Sequence, residues 1–291
     1  MTFPDSHPQH SAQPHRMKTF PFADIAAFCL VIGGIIWFVI SGAEKQGYNW
    51  QWYRIPRYIF SFEAGQFIKG PLLEGLQVTL QITVLSLVLA CIFGLSTAFL
   101  RLSPSLLGRI TARLYMEMIR NTPLLVQLFF IYFVMGPILD ISRFASAVLA
   151  LSLFEGAYAS EIFRAGIVSI HQGQWEAARS LGMNTASTYR HIILPQAIPR
   201  ILPPLTGQAV SLIKDSALVS TIAIYDLTMQ AQAIISETWL TFELWFTVAG
   251  IYLMLTIPLS LFANLMEKYL GRTSLPSVFR SSSGNSNYTD T

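Results

Sequence analysis

Charged residues are scarce in this sequence. Only 12% of its 291 residues are charged, whereas 53% are hydrophobic, and these apolar residues fall in long runs. A soluble domain of this length carries about 25% charged residues. The formal net charge is only +3, and the basic residues are scattered between the apolar runs, so they form no basic patch that could hold nucleic acid. The composition therefore predicts an integral membrane protein and excludes a nucleic-acid-binding role.

Cysteine and the common catalytic motifs are also rare or missing. The two cysteines, Cys29 and Cys91, lie in apolar runs, where a thiol behaves as a small hydrophobic group. The sequence has no GK[ST] phosphate loop, no HExxH and no GxSxG, so we expect no ATPase, no intramembrane enzyme, no metal site and no cofactor. Three histidines, His7, His10 and His15, lie in a proline-rich segment that we interpret as a solvated tail.

The apolar runs predict six membrane-spanning helices. Four stretches contain no charged residue: 25–43, 75–100, 121–139 and 244–266. Each reaches the ~18 to 20 residues that a helix needs to cross a hydrocarbon core about 30 Å thick. Two further stretches, 144–165 with Glu155 and Glu161, and 216–235 with Asp226, span the membrane if their acidic side chains face protein or water. The predicted fold class is an all-α integral membrane protein with about six transmembrane helices.

The predicted segments divide the chain into five parts. They are a disordered cytoplasmic tail (1–23), a first transmembrane helix (24–43), an outer loop (44–71), a main transmembrane domain (72–270) and a second disordered cytoplasmic tail (271–291). With both termini in the cytoplasm, most lysines and arginines of the connecting segments lie inside, as the positive-inside rule requires. The first helix contains no ionisable residue, so we expect it to pack at the periphery.

One polar segment, QWEAARSLGMNTASTYRHIILP at 174–195, interrupts this apolar sequence in the longest predicted cytoplasmic loop. Residues 174–181 favour a helix, Gly182 favours a left-handed helix stop, and residues 185–193 favour a second short helix. The prolines that follow restrict the return of the chain toward the membrane. Taken alone, this pattern also fits an amphipathic connector lying on the membrane surface.

The spacing inside this segment resembles the EAA loop of ATP-binding cassette (ABC) importer permeases. The shared pattern is E-A-A, three residues, G, nine residues and I-x-L-P, and its positions are Glu176, Ala177, Ala178, Gly182, Ile192, Leu194 and Pro195. The flanking stretches EMIRNTPLLVQLFF, GAYASEIFRAGIVSIHQGQ, ILPQAIPRILP and LIKDSALVS resemble the polar amino-acid branch of the family, the histidine, glutamine and arginine type. This resemblance runs from about residue 72 to residue 270.

The resemblance implies a type I ABC importer permease fold, a bacterial inner-membrane location and several partners. In that family two permease subunits form the pathway, each EAA loop sits in a groove of a cytoplasmic ATPase subunit, and a periplasmic binding protein delivers the amino acid. Here Glu176 would supply a charge across the ATPase contact, Ala177 and Ala178 would permit close approach, and Gly182 would form the turn. Because this chain has no phosphate loop, ATP hydrolysis is expected in another polypeptide. The family often has five spans, so the helix at 24–43 departs from its usual pattern.

Three residues are candidates for the transport path: Glu155, Tyr158 and Asp226. Glu155 lies near the middle of its span, where a carboxylate costs ~2.5 to 3.5 kcal/mol on insertion scales, so we expect it to face the interior and to have a partner. With Tyr158 one turn along, it is a candidate to bind an ammonium or a cationic side chain. Two other functions remain open: a secondary amino-acid transporter that uses Glu155 and Asp226 for ion coupling, and a membrane anchor without transport.

The remaining charges near the ends of spans favour structural roles. Glu117 and Arg120, and likewise Glu161 and Arg164, are three residues apart on one helical face, so each pair is expected to form a local ion pair. Lys214 and Asp215 stand at the start of the predicted fifth span, where we expect them to anchor the helix at the membrane surface.

Overall fold

The computed structural model describes residues 21–45, 47–63 and 65–271. The chain divides into two compact units, 1–50 and 51–291. The first unit contains one long apolar helix, α1 (Pro21–Lys45). The predicted tails lie almost wholly outside the described residues.

The segment predicted as an outer loop is more ordered than that prediction indicates. A turn of 3-10 helix (Trp52–Arg54) is followed by the short helix α2 (Pro56–Ile59) and by two antiparallel strands, β1 (Phe60–Glu63) and β2 (Gln66–Lys69). Phe60 stacks on Phe67 across the strands, with their ring centroids 5.9 Å apart. The apolar-polar alternation of FSFE and the glycine at 65 are local signals of such a hairpin, although the segment is predicted only as a loop.

The rest of the described chain is helical. Its helices are α3 (Pro71–Leu102), α4 (Leu106–Arg120), α5 (Leu124–Phe129), α6 (Gly136–Leu139), α7 (Arg143–Val168), α8 (Gln172–Ser180), α9 (Thr185–Thr188), α10 (Leu194–Asp215), α11 (Leu227–Thr238) and α12 (Thr241–Gly271). Four helices, α1, α3, α7 and α12, are long and apolar enough to cross a membrane, and the number rises to six if two bent pairs each count as one span. The predicted all-α membrane fold class is confirmed.

Helices α3 and α7 form the centre of the second unit. Small side chains meet where the two helices cross: Ala90, Ala98, Ala157 and Ala159 are at most 1% exposed. A Cβ added to Gly94 would lie 2.8 Å from the Cβ of Ala159 and 3.0 Å from backbone atoms of α7. Because lipid supplies no hydrophobic force between helices, such close backbone approach is what holds membrane helices together.

The predicted third span, 121–139, is shorter and more irregular in the structure. Its helical part starts at Leu124, and a π-helical stretch (Phe130–Met135) joins α5 to α6. This segment makes an angle of 106° with the preceding helix α4. Pro123 accounts for the break, because it has no N–H and disfavours helical backbone at the residue before it.

The predicted fifth span, 216–235, is not one continuous helix in the structure but part of a longer, bent pair of helices. Helix α10 begins at Leu194 and continues into a 3-10 stretch (Ser216–Ile222). Ala223 then adopts left-handed backbone, and α11 starts at a bend of 49°. The prolines at 199, 203 and 204 lie inside α10 rather than in a return path. Helices in membranes tolerate proline because side chains and neighbouring helices satisfy the carbonyl groups that it frees.

Candidate functional site

The EAA pattern forms a helical hairpin at one end of the bundle. Helix α8 begins after His171, whose Nδ1 accepts a hydrogen bond from Gly173 N at 3.0 Å. The helix ends at Gly182, whose φ is 71°, and Met183 N donates back to Ala178 O at 3.0 Å. This is the six-to-one hydrogen bond of a glycine-terminated helix, so the sharp turn predicted at Gly182 is present.

The second arm of the hairpin runs without interruption into the membrane helix. Helix α9 continues through a π-helical stretch (Tyr189–Ile193) directly into α10 at Leu194. The ring of Trp175 in α8 packs edge-on against Tyr189, with centroids 5.2 Å apart, and Tyr189 packs against Phe99 of α3. The hairpin is therefore fixed to the membrane helices by aromatic contacts, so that it moves with α10.

The residues of the EAA pattern point in two directions. Glu176 and Ala177 are exposed, and Glu176 Oε1 accepts a hydrogen bond only from Gln172 Nε2 at 2.9 Å. Ala178, however, is fully buried inside the chain. Its small side chain therefore serves internal packing, and Ala177 alone remains on the outward surface beside Leu181, which is 78% exposed.

The later residues of the pattern belong to the second arm. Ile192 and Leu194 are half-buried and Pro195 is exposed. Ile192 packs against the cluster formed by Ile167, Ile193 and neighbouring residues of α7 and α10. These residues hold the hairpin in place, whereas the first arm presents the outward face.

A second group of polar side chains lies inside the bundle around Glu155. Its carboxyl group is 1% exposed and accepts a hydrogen bond from Gln208 Nε2 through Oε2. The side chain of Asp215 lies near that of Glu155. The expectation that Glu155 faces the interior and has partners is confirmed.

Sequence reasoning missed the partners of Glu155. The sequence places Asp215 at the membrane surface, but the continuous helix from Leu194 brings it, half-buried, near Glu155. Gln208 and Asp215 are seven residues apart and so share one helical face. Had the proline-rich segment been interpreted as helix, this spacing would have indicated both residues. We call Glu155, Gln208 and Asp215 the carboxyl site.

An open cavity of 490 Å³ lies next to the carboxyl site, on the side of the EAA hairpin. Gln208, Tyr158, Arg120, Glu161 and Arg200 provide its polar lining. The guanidinium of Arg120 lies over the Tyr158 ring at 5.5 Å from the centroid. Gln208 therefore links the cavity to Glu155, and the structure brings Glu155 and Tyr158 to the same region.

Asp226 does not join this group. It is fully buried and caps α11, with Oδ1 accepting a hydrogen bond from Met229 N at 2.9 Å. Neighbouring Leu227 N donates to Thr79 Oγ1 of α3 at 3.1 Å. These contacts give Asp226 a structural role at the bend between α10 and α11.

The two predicted local ion pairs have different outcomes. Glu161 pairs with Arg164 at 2.7 Å, as expected, and also with Arg101 of α3. The pairing of Glu117 with Arg120 was wrong: Glu117 Oε2 accepts a hydrogen bond from Asn121 at 3.0 Å, while Arg120 stacks on Tyr158.

Comparisons with known proteins agree on one family. Residues 47–273 match the family model of the binding-protein-dependent transport system inner membrane component. The glutamine transport system permease protein of Escherichia coli K12 is 38% identical over 200 residues, covering 68% of this chain and 91% of that protein. The L-cystine transport system permease protein of Bacillus subtilis strain 168 is 40% identical over 205 residues, covering 69% and 88%.

Solved structures show the same fold. An amino acid ABC transporter crystallised with histidines is 40% identical, has a TM-score of 0.63, and matches 68% of this chain and 94% of that one. An inward-facing methionine ABC transporter is only 19% identical, with a TM-score of 0.57 over 68% of this chain and 95% of that one. It supports the fold alone.

Proposed function

The chain belongs to the family of binding-protein-dependent transport system inner membrane components, and on that basis we propose that it conducts a polar amino acid and receives the power stroke of an ATPase through its EAA hairpin. As a permease of this family it is a multi-pass membrane protein with a transport function. The relatives that name glutamine and cystine as cargo support an amino-acid substrate. The 40% identity to an amino acid ABC transporter supports the same class.

The proposed complex contains three kinds of protein partner, besides the substrate and the lipid bilayer. ABC ATPase subunits bind the hairpin, a second permease subunit of the same or a related sequence completes the path, and a periplasmic binding protein delivers the amino acid. We assign the hairpin and both termini to the cytoplasm of a bacterium, because that orientation keeps most lysines and arginines of the connecting segments inside. The substrate and the lipid bilayer complete the assembly.

The exposed first arm of the hairpin carries the coupling proposal. It ends in a left-handed turn at Gly182 and exposes Glu176 and Ala177. Its Trp175 ring packs against Tyr189, in the π-helical stretch that directly precedes α10. A push on this arm is therefore transmitted to α10, the helix that also bears Gln208 and Asp215. In this way one rigid element connects the ATPase contact with the carboxyl site.

Charge reversal tests the coupling contact. Glu176→Lys should leave the permease folded and inserted but separate ATP hydrolysis from uptake, because like charges across an interface are strongly unfavourable. Glu267→Lys is the matched control, since Glu267 is also exposed and lies near Arg200 at the same end of the bundle. Equal, wild-type uptake by both variants in reconstituted vesicles would show that the hairpin is not the coupling element.

The carboxyl site is the proposed contact for the substrate ammonium or for a cationic side chain. Glu155→Gln keeps the shape, and its amide oxygen still accepts the hydrogen bond of Gln208, but it removes the charge. Transport should fall while stability and basal ATP hydrolysis hold. Glu243→Gln is the control, because Glu243 is equally buried but lies in the first turn of α12, where it accepts a hydrogen bond from Gln51 N. Unchanged affinity and rate for every amino acid tested would rule out the contact.

Two alternatives predict different results. A secondary transporter would use a carboxyl group for ion coupling, so its uptake would follow a proton or sodium gradient without ATP. Asp226 has a structural role as a helix cap, and this weakens an ion-coupling mechanism that requires both Glu155 and Asp226. A membrane anchor would copurify with no ATPase and would transport nothing.

A further inference from the structure

We infer that α4 lies along the membrane surface and binds the headgroups of anionic phospholipids through Arg109 and Arg113. The first observation is its direction. Helix α4 makes an angle of 106° with the segment Leu124–Leu139. Transmembrane helices tilt on average about 20° from the bilayer normal, so a helix nearly perpendicular to one lies close to the membrane plane.

The position of α4 along the bundle is the second observation. Its N-terminal end follows Arg101, which pairs with Glu161 near the end of α7. Tyr115 Oη in α4 donates to Leu153 O at 2.6 Å, and Ser160 Oγ donates to Met116 Sδ at 2.9 Å. Helix α4 is thus packed against the last turn of α3 and against the second half of α7, from Leu153 to Glu161, on the side of the bundle that leads to the EAA hairpin.

The exposed surface of α4 is divided into two edges. Ala112 and Met116 face the bundle and are 2% and 6% exposed. One edge carries Arg109 and Arg113, both exposed. The other edge is apolar and carries the exposed residues Leu107, Leu114 and Met118, while the exposed Leu106 and Ile110 lie between the two edges and line the same recess as the arginines. At ~100° per residue the two edges are about 140° apart. A helix with one basic and one apolar edge is typical of the boundary between headgroups and acyl chains.

The two arginines of the basic edge are unpaired. Neither guanidinium makes a hydrogen bond or an ion pair within the described residues, whereas Arg101 is held by Glu161 and Arg120 by the Tyr158 ring. All four arginines line a cavity of 500 Å³ together with a single acid, Glu117. Such a basic recess complements a phosphate group, and arginine binds phosphate oxygens in a bidentate geometry.

The apolar edge indicates that the ligand of the arginines is a lipid rather than a soluble anion. A free phosphate ion would account for the arginines but not for the exposed leucines and methionine beside them. A phospholipid satisfies both edges at once, because its phosphate meets the arginines while its acyl chains cover the apolar side chains.

The test measures lipid binding by native mass spectrometry of the full chain in detergent. Dioleoylphosphatidylglycerol and dioleoylphosphatidylcholine are titrated separately. The variant with Arg109→Gln and Arg113→Gln should bind the anionic lipid about 30-fold more weakly, because each arginine near an anionic surface contributes a factor of about five. Binding of the zwitterionic lipid should stay the same. The double lysine variant, R109K with R113K, should keep most of the binding and shows that the site still folds.

A control variant removes the same charge elsewhere. Arg179 and Arg190 are also exposed and without a side-chain partner within the described chain, so Arg179→Gln with Arg190→Gln should retain wild-type lipid binding. An equal loss in this variant would mean that total charge, not a site, attracts the lipid. Release of the lipid by millimolar inorganic phosphate would identify a soluble-anion site and overturn the proposal.

Spin labels distinguish lipid from a protein partner. In the reconstituted chain with Cys29 and Cys91 replaced by alanine, a label at Leu114 should be relaxed by dissolved oxygen, and one at Arg113 by a water-soluble nickel chelate. Low accessibility at both positions would mean that a protein subunit covers α4, which contradicts the proposal.

Discussion

Replacing Gly182 by valine should uncouple the permease through backbone conformation alone. The φ of Gly182 is 71°, and a Cβ added there would meet no atom within 4 Å. The penalty is therefore the left-handed backbone itself, ~1 to 2 kcal/mol for an ordinary L-residue and more for a β-branched one. At ~1.4 kcal/mol per tenfold change, the equilibrium constant for the correct turn falls about 5- to 30-fold, and this is the upper limit for the expected fall in the initial rate of uptake.

Asparagine at the same position provides the matched control. It adopts left-handed backbone far more readily than valine does, so Gly182→Asn should keep uptake within about twofold of the wild type. Both variants are compared in proteoliposomes that contain the ATPase, with uptake and ATP hydrolysis measured together. Normal uptake with valine, or an equal loss with asparagine and valine, would refute the role of the turn.

Three further predictions concern other parts of the molecule. Gly94→Val should destabilise the fold by roughly 1 to 3 kcal/mol through overpacking, measured by unfolding in detergent. The control Gly250→Val should have little effect, because a Cβ added at Gly250 meets no atom within 4 Å. Equal effects of the two variants would contradict the close packing of α3 on α7. Asp215→Asn should lower transport as Glu155→Gln does without loss of assembly, and unchanged uptake would separate Asp215 from the carboxyl site. Removal of residues 1–43 should leave transport largely intact, and loss of the assembled complex would instead make the first helix structural.

Local patterns predicted most of the helices because one rule governs them. A charge-free apolar run of sufficient length must become a spanning helix, since every backbone polar group has to be satisfied inside the membrane. The charge-free stretches 75–100 and 244–266 therefore lie within α3 and α12. The stretch 144–165, which carries Glu155 and Glu161, lies within α7. The turn at Gly182 was equally local, because glycine is the residue that ends a helix in left-handed backbone at least cost.

The errors lie where tertiary packing overrides a local preference. Prolines at 199, 203 and 204 normally end a helix, but packing of α10 against α7 and α12 maintains it. That single misjudgement hid Gln208 and the proximity of Asp215 to Glu155. The burial of Ala178 and the course of α4 likewise depend on contacts between helices far apart in sequence. The EAA spacing was recognisable because its residues lie within one continuous segment.

ATP-dependent uptake by the reconstituted complex tests the central claim most directly. The permease, coexpressed with its ATPase and binding protein, is placed in vesicles without ion gradients, and radiolabelled glutamine, histidine, arginine and cystine are supplied with the binding protein. We predict accumulation of at least one of them only when the ATPase is given ATP, and loss of that accumulation with Glu176→Lys. Accumulation that follows a proton or sodium gradient and ignores ATP would contradict the account.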